Sequence, residues 1–376
     1  MRFKDIHGLQ STKALLLSGI RNNHVAHAQL FAGKPGSPAL SMALAYATFL
    51  NCENPGEEDA CGQCSSCIKS QKFIHPDVHF IFPVSSTKNV AAKDASSRLF
   101  LKEWRTFLLT TPYGSLQDWA ALYGGEDKQA LISTKEKQTI TGDLSLKAFE
   151  GKYKIMLIWL PELMHPNAAN GILKVLEEPP DQSIFLLVSE QPDRLLTTIQ
   201  SRVQRLNIPS FSDRELSELL VSAHGIDETR SKQLAHLADG SLRLALHLSA
   251  EAEEDNYTQF SHWMRLCHQR QMSELVDKAD EFSKLTRGAQ NAFLQYGLSM
   301  LREALVSASS THDLLLRVEG GEKTFAANFG KALSVNQIQN MAEFISESMY
   351  HLERNASAKI LFMNLSIKLS KALRSK

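Results

Sequence analysis

Hydrophobic positions in the first 210 or so residues fall into short runs separated by segments of helical period. Gln29–Ala32, Val78–Phe82, Ile155–Trp159 and Ile184–Val188 are apolar runs of strand length, and Val203–Ile208 is a less regular fifth. Their apolar character is continuous, with no alternation of apolar and polar residues. Strands buried on both faces read this way, so the fold class expected is α/β, a mostly parallel sheet with helices on each side. Between the third and fourth runs, "NAANGILKVLEEPP" places Ile172, Leu173, Val175 and Leu176 on a helix face and stops at Pro179-Pro180.

Residues 86–140 interrupt this rhythm with a helical middle between two breaks containing Gly or Pro. A surface insertion with one or two helices is expected there. Past Ile208 the character changes. Pro209 closes the last run, and "SDRE" at 212–215 has the form of a capping box, with Ser212 as N-cap and Glu215 reaching back. From there to Lys376 helix formers dominate. The expected organisation is an α/β domain over 1–208, a small helical domain over 209–250 and a longer helical domain over 251–376, joined through the acidic, hinge-like "SAEAEEDN".

Composition narrows the function classes. At 376 residues, 43% hydrophobic and 22% charged, the chain is an ordinary globular one, long for a single core. Lys+Arg and Asp+Glu are equal at 41 each, which lacks the basic excess of a protein that binds DNA by charge alone. No apolar run approaches the roughly 20 residues of a membrane helix, and "MRFKDIHGLQ" lacks a signal-peptide core. A cytoplasmic location without membrane contact is expected.

Four of the five cysteines, Cys52, Cys61, Cys64 and Cys67, lie in "CENPGEEDACGQCSSC". The spacing C-x8-C-x2-C-x2-C allows four thiolates to converge on one ion, with Gly62 easing the turn. Zinc suits four soft thiolates and no redox chemistry; an iron–sulfur cluster is the rival occupant. With no open ligand position the ion would be structural. Cys267 stands alone in a helical context, as a core or surface thiol. His75 and His79 flank "PDV" and raise a second metal reading, against which stands a plain connection into a strand.

The stretch "QLFAGKPGSPALSMALAYATFLNC" has the strand–loop–helix frame of a phosphate-binding loop. Such a loop ends in Gly, Lys and Ser or Thr, the last two reaching phosphate and Mg²⁺. Here the loop runs Gly33, Lys34, Pro35, Gly36, Ser37, Pro38, Ala39, Leu40, and the three decisive places hold Pro38, Ala39 and Leu40. Pro38 also removes a backbone N–H from the cradle. An ordinary Gly/Pro turn is the plain alternative. The strand of "KIMLIWLPELMH" sits where the acidic, Mg²⁺-holding motif of a nucleotide hydrolase would be, yet it ends in Trp159 and Leu160.

These motifs, with "HVAHAQLFAGKPG", the cysteine cluster, "HPDVH", "NGILKVLEEPP" and "LTTIQSR" in order, resemble the bacterial AAA+ clamp-loader family, the gamma/tau and delta-prime subunits of DNA polymerase III holoenzyme. The similarity covers about residues 1–250 apart from the insertion, and "HLERNASAKILFMNLSIKL" is similar to the family's C-terminal ending. It implies a AAA+ domain with a zinc module, a helical lid and a C-terminal collar. It further implies gamma/tau and delta partners in a hetero-pentamer, with the sliding clamp and primed DNA reached through the complex. Gamma/tau members have intact nucleotide motifs and delta-prime members degraded ones, so the chain resembles the type that does not hydrolyse ATP. The family's Ser-Arg-Cys motif matches Ser201, Arg202 and Val203, which implies that Arg202 is an arginine finger for ATP on a neighbouring subunit. The Cys is replaced and the Arg kept; a strand-flanking surface Arg is the alternative. Arg243 in "DGSLRLAL" resembles the second sensor, and Ser189 occupies the place of the first without an assigned role. Three other functions stay open: an active ATPase with an unusual loop, in which Lys34 would be needed, a stand-alone zinc-bearing DNA-binding module, and an enzyme of another kind within 86–140, where the sequence offers no paired carboxylates and no nucleophile–base set.

Overall fold

The computed structural model describes the chain except for residues 23, 126–127, 146, 251–252, 310–319, 355 and 375–376. It forms two compact units, Met1–Glu215 and Leu216–Lys376.

The first unit is built on five parallel strands, β1 (Ala28–Ala32), β2 (Val78–Ile81), β3 (Lys154–Trp159), β4 (Ser183–Ser189) and β5 (Gln204–Asn207), in the order β2-β3-β4-β1-β5. β1, β3 and β4 are buried at every position, as their unbroken apolar runs require. β5 lies at the sheet edge and is largely exposed, which explains its weaker pattern. The helices are α1 (Gln10–Arg21), α2 (Ala39–Leu50), α3 (Ser65–Gln71), α4 (Leu101–Thr110), α5 (Leu116–Tyr123), α6 (Glu136–Ser145), α7 (Pro166–Gly171), α8 (Leu173–Glu177) and α9 (Thr197–Gln200). The expected helix before Pro179-Pro180 is thus two short ones, α7 and α8. Ile172 and Leu176 join Ile140, Leu144 and Ile199 against Leu30, Met156, Ile158 and Phe185 of the sheet. α2 is buried along its whole length, and its alanines leave room for close packing.

The insertion differs from the surface appendage expected. Trp104, Phe107 and Trp119 are fully buried. Trp104 stacks on Phe82 at 4.3 Å between ring centroids and meets Trp119 edge-on at 5.2 Å. Trp104 and Phe107 also pack on Trp159 at the end of β3, at 5.1 and 5.7 Å. The Trp119 indole N–H donates to Pro83 O at 2.8 Å, and the Tyr123 hydroxyl accepts from Ser85 N at 2.9 Å. Bridges Val84–Leu131 and Ile132–Met164 tie the returning segment to the frame. Helical spacing explains the arrangement: Trp104, Phe107 and Leu108 share one face of α4, and Trp119 and Tyr123 one face of α5.

The second unit is helical among its described residues. It holds α10 (Asp213–His224, which begins in the first unit), α11 (Glu228–Leu237), α12 (Leu242–Ala250), α13 (Glu253–Gln269), α14 (Met272–Lys284), α15 (Arg287–Ser309), α16 (Gly320–Ala332), α17 (Val335–Glu353) and α18 (Ala358–Ala372). The capping box forms as expected: Ser212 N and Oγ donate to Glu215 Oε2 at 2.9 and 2.7 Å, and Glu215 N donates to Ser212 Oγ at 3.3 Å. Trp263 stacks on Phe362 at 4.6 Å and donates its indole N–H to Ser366 Oγ. Cys267 is a core thiol beside them, and burial pushes its pKa up to about 12. Glu251 and Ala252 of the expected hinge lie outside the described residues.

Trp104→Ala should lower stability by about 4 kcal/mol through the cavity it leaves. Trp104→Phe, which also removes an indole N–H buried without an acceptor, should cost far less. Urea midpoints at constant m-value check this; equal losses for both variants would contradict the packing described.

Candidate functional site

The loop after β1 closes on itself. Gly33 N donates to Ser189 O at 3.0 Å, and Ser37 N to Lys34 O at 3.0 Å. A Cβ at residue 33 would meet Ser37 Oγ at 2.2 Å and Ala39 Cβ at 3.0 Å, so any larger residue would have to displace the Ser37 hydroxyl and crowd the start of α2. Lys34 and Pro35 are exposed, while residues 36–41 are buried. Pro38 caps α2 without a side-chain acceptor, and Ala39 and Leu40 form its first turn. The N-terminal end of a helix after such a loop is where a phosphate would sit. Here the insertion lies on that turn: Ser41 Oγ donates to Pro112 O at 3.0 Å. The Tyr113 phenol bonds Ser41, its ring packs on Phe211 at 5.7 Å, and burial pushes its pKa up to about 12.

The second motif is closed by the same segment. Trp159 is buried under Trp104 and Phe107 and has no atom that ligates a metal. Leu160 is buried with a left-handed backbone, φ 54°. The nearby carboxylate, Glu162, uses Oε1 to accept Glu190 N and Gln191 N, both at 2.9 Å. Ser189 is fully buried, and its Oγ has no partner.

The four cysteines converge. The Sγ atoms of Cys52, Cys61, Cys64 and Cys67 lie within 4.8 Å of one another. Sulfurs at about 2.3 Å from a central ion stand about 3.8 Å apart in a tetrahedron, and Cys61 Sγ and Cys67 Sγ are separated by 3.9 Å. Cys64 caps α3 and accepts Cys67 N, while Gln63 N and Cys64 N point at Cys61 Sγ. Those amides hold the Cys61 thiol down at about 6, whereas burial raises Cys52 and Cys67. A divalent cation would take all four as thiolates, and the donor set fits one. Gly62 has φ 74°, as the turn requires, and a Cβ there would strike Arg2 Nη1 at 2.1 Å. His75 and His79 stay apart. His75 Nδ1 accepts Asp77 N at 3.1 Å, and His79 Nδ1 lies 3.3 Å from Asp143.

Arg202 lies at the other end of the sheet from the loop. β1 and β5 run parallel, with Gln29 opposite Gln204 and Ala32 opposite Asn207. Arg202 therefore precedes the start of β5, whereas Gly33 follows the end of β1, about 15 Å away along the strands. Arg202 is partly exposed, and its guanidinium is engaged within the chain. Nε donates to Glu177 Oε1 at 2.6 Å and Nη2 to the same oxygen. Nη1 donates to Thr198 O at 2.8 Å and Ser201 Oγ at 3.2 Å. Arg243 is half-buried near the start of α12 in the second unit. The structure therefore brings the four cysteines to one point, keeps residues 33–40 as one closed loop, and sets Arg202 and Ser201 at the other end of the sheet from that loop.

A family model described as "DNA polymerase III, delta subunit" matches residues 8–212, more than half of the chain. The chain belongs to that family. It is 27% identical over 257 residues to Escherichia coli DNA polymerase III subunit tau, covering 66% of this chain and 33% of that protein. It is 28% identical over 220 residues to Bacillus subtilis subunit delta', covering 58% of this chain and 53% of that protein. The delta-family chain thus spans a third to about a half of the curated relatives it matches. A Thermotoga maritima protein related to the polymerase III gamma subunit aligns over 96% of this chain and 99% of that one, at 16% identity and a TM-score of 0.41.

In this delta-family chain two features escaped the sequence. Glu177 as the partner of Arg202 left no signal, because the pair is 25 residues apart and forms only when α8 and α9 pack. The burial of the loop by Pro112 and Tyr113 was foreshadowed by the aromatic faces of α4 and α5, which are too apolar for a solvated insertion. Elemental analysis should find one metal ion per chain, and Cys61→Ser should lose it. Because the ligands bind as thiolates, the ion should be released as pH falls. A metal-free chain that unfolds at the same urea concentration as the loaded one would contradict a structural role.

Proposed function

We propose that the chain is a delta-prime-type subunit of a bacterial DNA polymerase III clamp loader, a AAA+ subunit that does not hydrolyse ATP. The observation that carries this is the filled nucleotide seat: the first turn of α2 is covered by Pro112 and Tyr113, and the end of β3 by Trp104 and Phe107. Hydrolysis needs a lysine and a hydroxyl at the phosphates and a carboxylate for Mg²⁺; those places hold Ala39, Leu40 and Trp159. The same burial weighs against an active ATPase with an unusual loop, since exposed Lys34 lies outside the covered turn.

In this reading the α/β domain spans 1–208 with a zinc module at 52–67, the lid 209–250 and the collar 251–376. Zinc is the metal that four thiolates without a redox role suit best. Gamma/tau and delta subunits are the partners, the sliding clamp and primed DNA are met through the assembly, and the location is cytoplasmic. Arg202 would serve a neighbour's ATP as a finger, with Ser201 beside it. An always-charged planar guanidinium suits a γ-phosphate, and its distance from its own loop favours action in trans. Arg243 resembles the second sensor by sequence, and with its own loop dismantled it is given no part in nucleotide binding here.

Reconstitution with gamma/tau and delta partners tests this. Arg202→Ala should lower clamp- and DNA-stimulated ATP turnover at least tenfold with the complex intact on a sizing column. Unchanged turnover would remove the finger, and failure of the wild-type chain to assemble would overturn the clamp-loader reading.

A further inference from the structure

The contacts of Arg202 carry one step more, which rests on the reading of that residue as a finger. Every guanidinium nitrogen is already bonded within the chain: Nε and Nη2 to Glu177, and Nη1 to Thr198 O and Ser201 Oγ. Those bonds use four of the five N–H groups, which leaves one Nη2 N–H and no free pair of them for the forked contact that a phosphate takes. Glu177 is the last residue of α8, at a helix end where exposed carbonyls disfavour a carboxylate, and Glu178 follows it. Arg202 is the counter-charge that this placement needs. Both side chains are partly open to solvent, 30% for Arg202 and 47% for Glu177, so water and salt screen the pair.

We infer that Glu177 is a positioning residue that parks the Arg202 finger within its own subunit. A second, more highly charged anion is then required to draw the finger out. The γ-phosphate of a nucleoside triphosphate held by an adjacent subunit meets that requirement. It offers several acceptor oxygens and more negative charge than one carboxylate, and charge-assisted forked bonds to it are strong. An exposed pair is weak enough to be exchanged and ordered enough to keep the finger from engaging until the adjacent site closes. The parked and engaged forms are two states of one side chain, and the adjacent site's geometry sets their balance. No covalent step is involved.

The test uses the reconstituted complex, comparing turnover without clamp or DNA to turnover with both. Glu177→Gln keeps the shape of the side chain and removes its charge. It should raise the unstimulated rate severalfold and leave the stimulated rate near wild type, so that the stimulation ratio falls. Raising salt should narrow the difference from wild type, because salt weakens the parked pair in the wild type alone. Glu177→Ala provides the same readout from a variant that removes the charge by truncation. An unstimulated rate that is unchanged or lowered in both variants would overturn the parking role. The finger reading is scored separately: Arg202→Ala must still cut the stimulated rate, and if it does not, the finger reading fails whatever Glu177 does.

Discussion

The first unit depends on the packing of aromatic rings from the insertion against Trp159. A nucleotide-binding domain of this layout would leave polar space between the end of β3 and the first turn of α2. Here that space is occupied by Trp104, Phe107 and Trp119, with the Pro112–Tyr113 turn lying on α2 itself. Burying rings of this size contributes several kcal/mol each, so the filling is part of the stability of the unit. A lysine placed at residue 39 or a carboxylate at residue 159 would still lie beneath Pro112 and Tyr113 or Trp104 and Phe107.

That constraint separates two ends of the sheet. At the carboxyl ends of β1 and β3, where ligands of open α/β sheets ordinarily bind, the insertion packs on the first turn of α2 and on Trp159. At the opposite end, charge remains: Arg202 at the start of β5, with Glu177 beside it. The charged pair thus stands at the surface of the unit, while the sheet between the two ends is packed with apolar side chains. The cysteine cluster fits the same division. It draws four Sγ atoms together in the segment between α2 and β2, and an ion held by all four would be a staple and not a catalyst.

Much of this was legible in the sequence. The five strands fall within a residue or two of the apolar runs, because buried parallel strands have no alternation to blur their ends, and the least regular run became the exposed edge strand β5. The cysteine spacing and the Ser212–Glu215 capping box are local devices, and both formed as read. The insertion was misjudged because polar stretches such as "STKNVAAKD" flank its apolar faces and suggest a surface excursion. Only the fold brings Phe82, Trp119 and Trp159, far apart in the chain, onto Trp104. The pairing of Arg202 with Glu177 was invisible for the same reason, since long-range contacts between single residues leave no periodic trace.

If side chains of the insertion occupy the place of a nucleotide, the isolated chain has no room for one. Equilibrium dialysis of the purified wild-type chain against Mg²⁺·ATP should therefore find no saturable binding into the millimolar range. Stoichiometric binding with a dissociation constant in the micromolar range would show that the site is open.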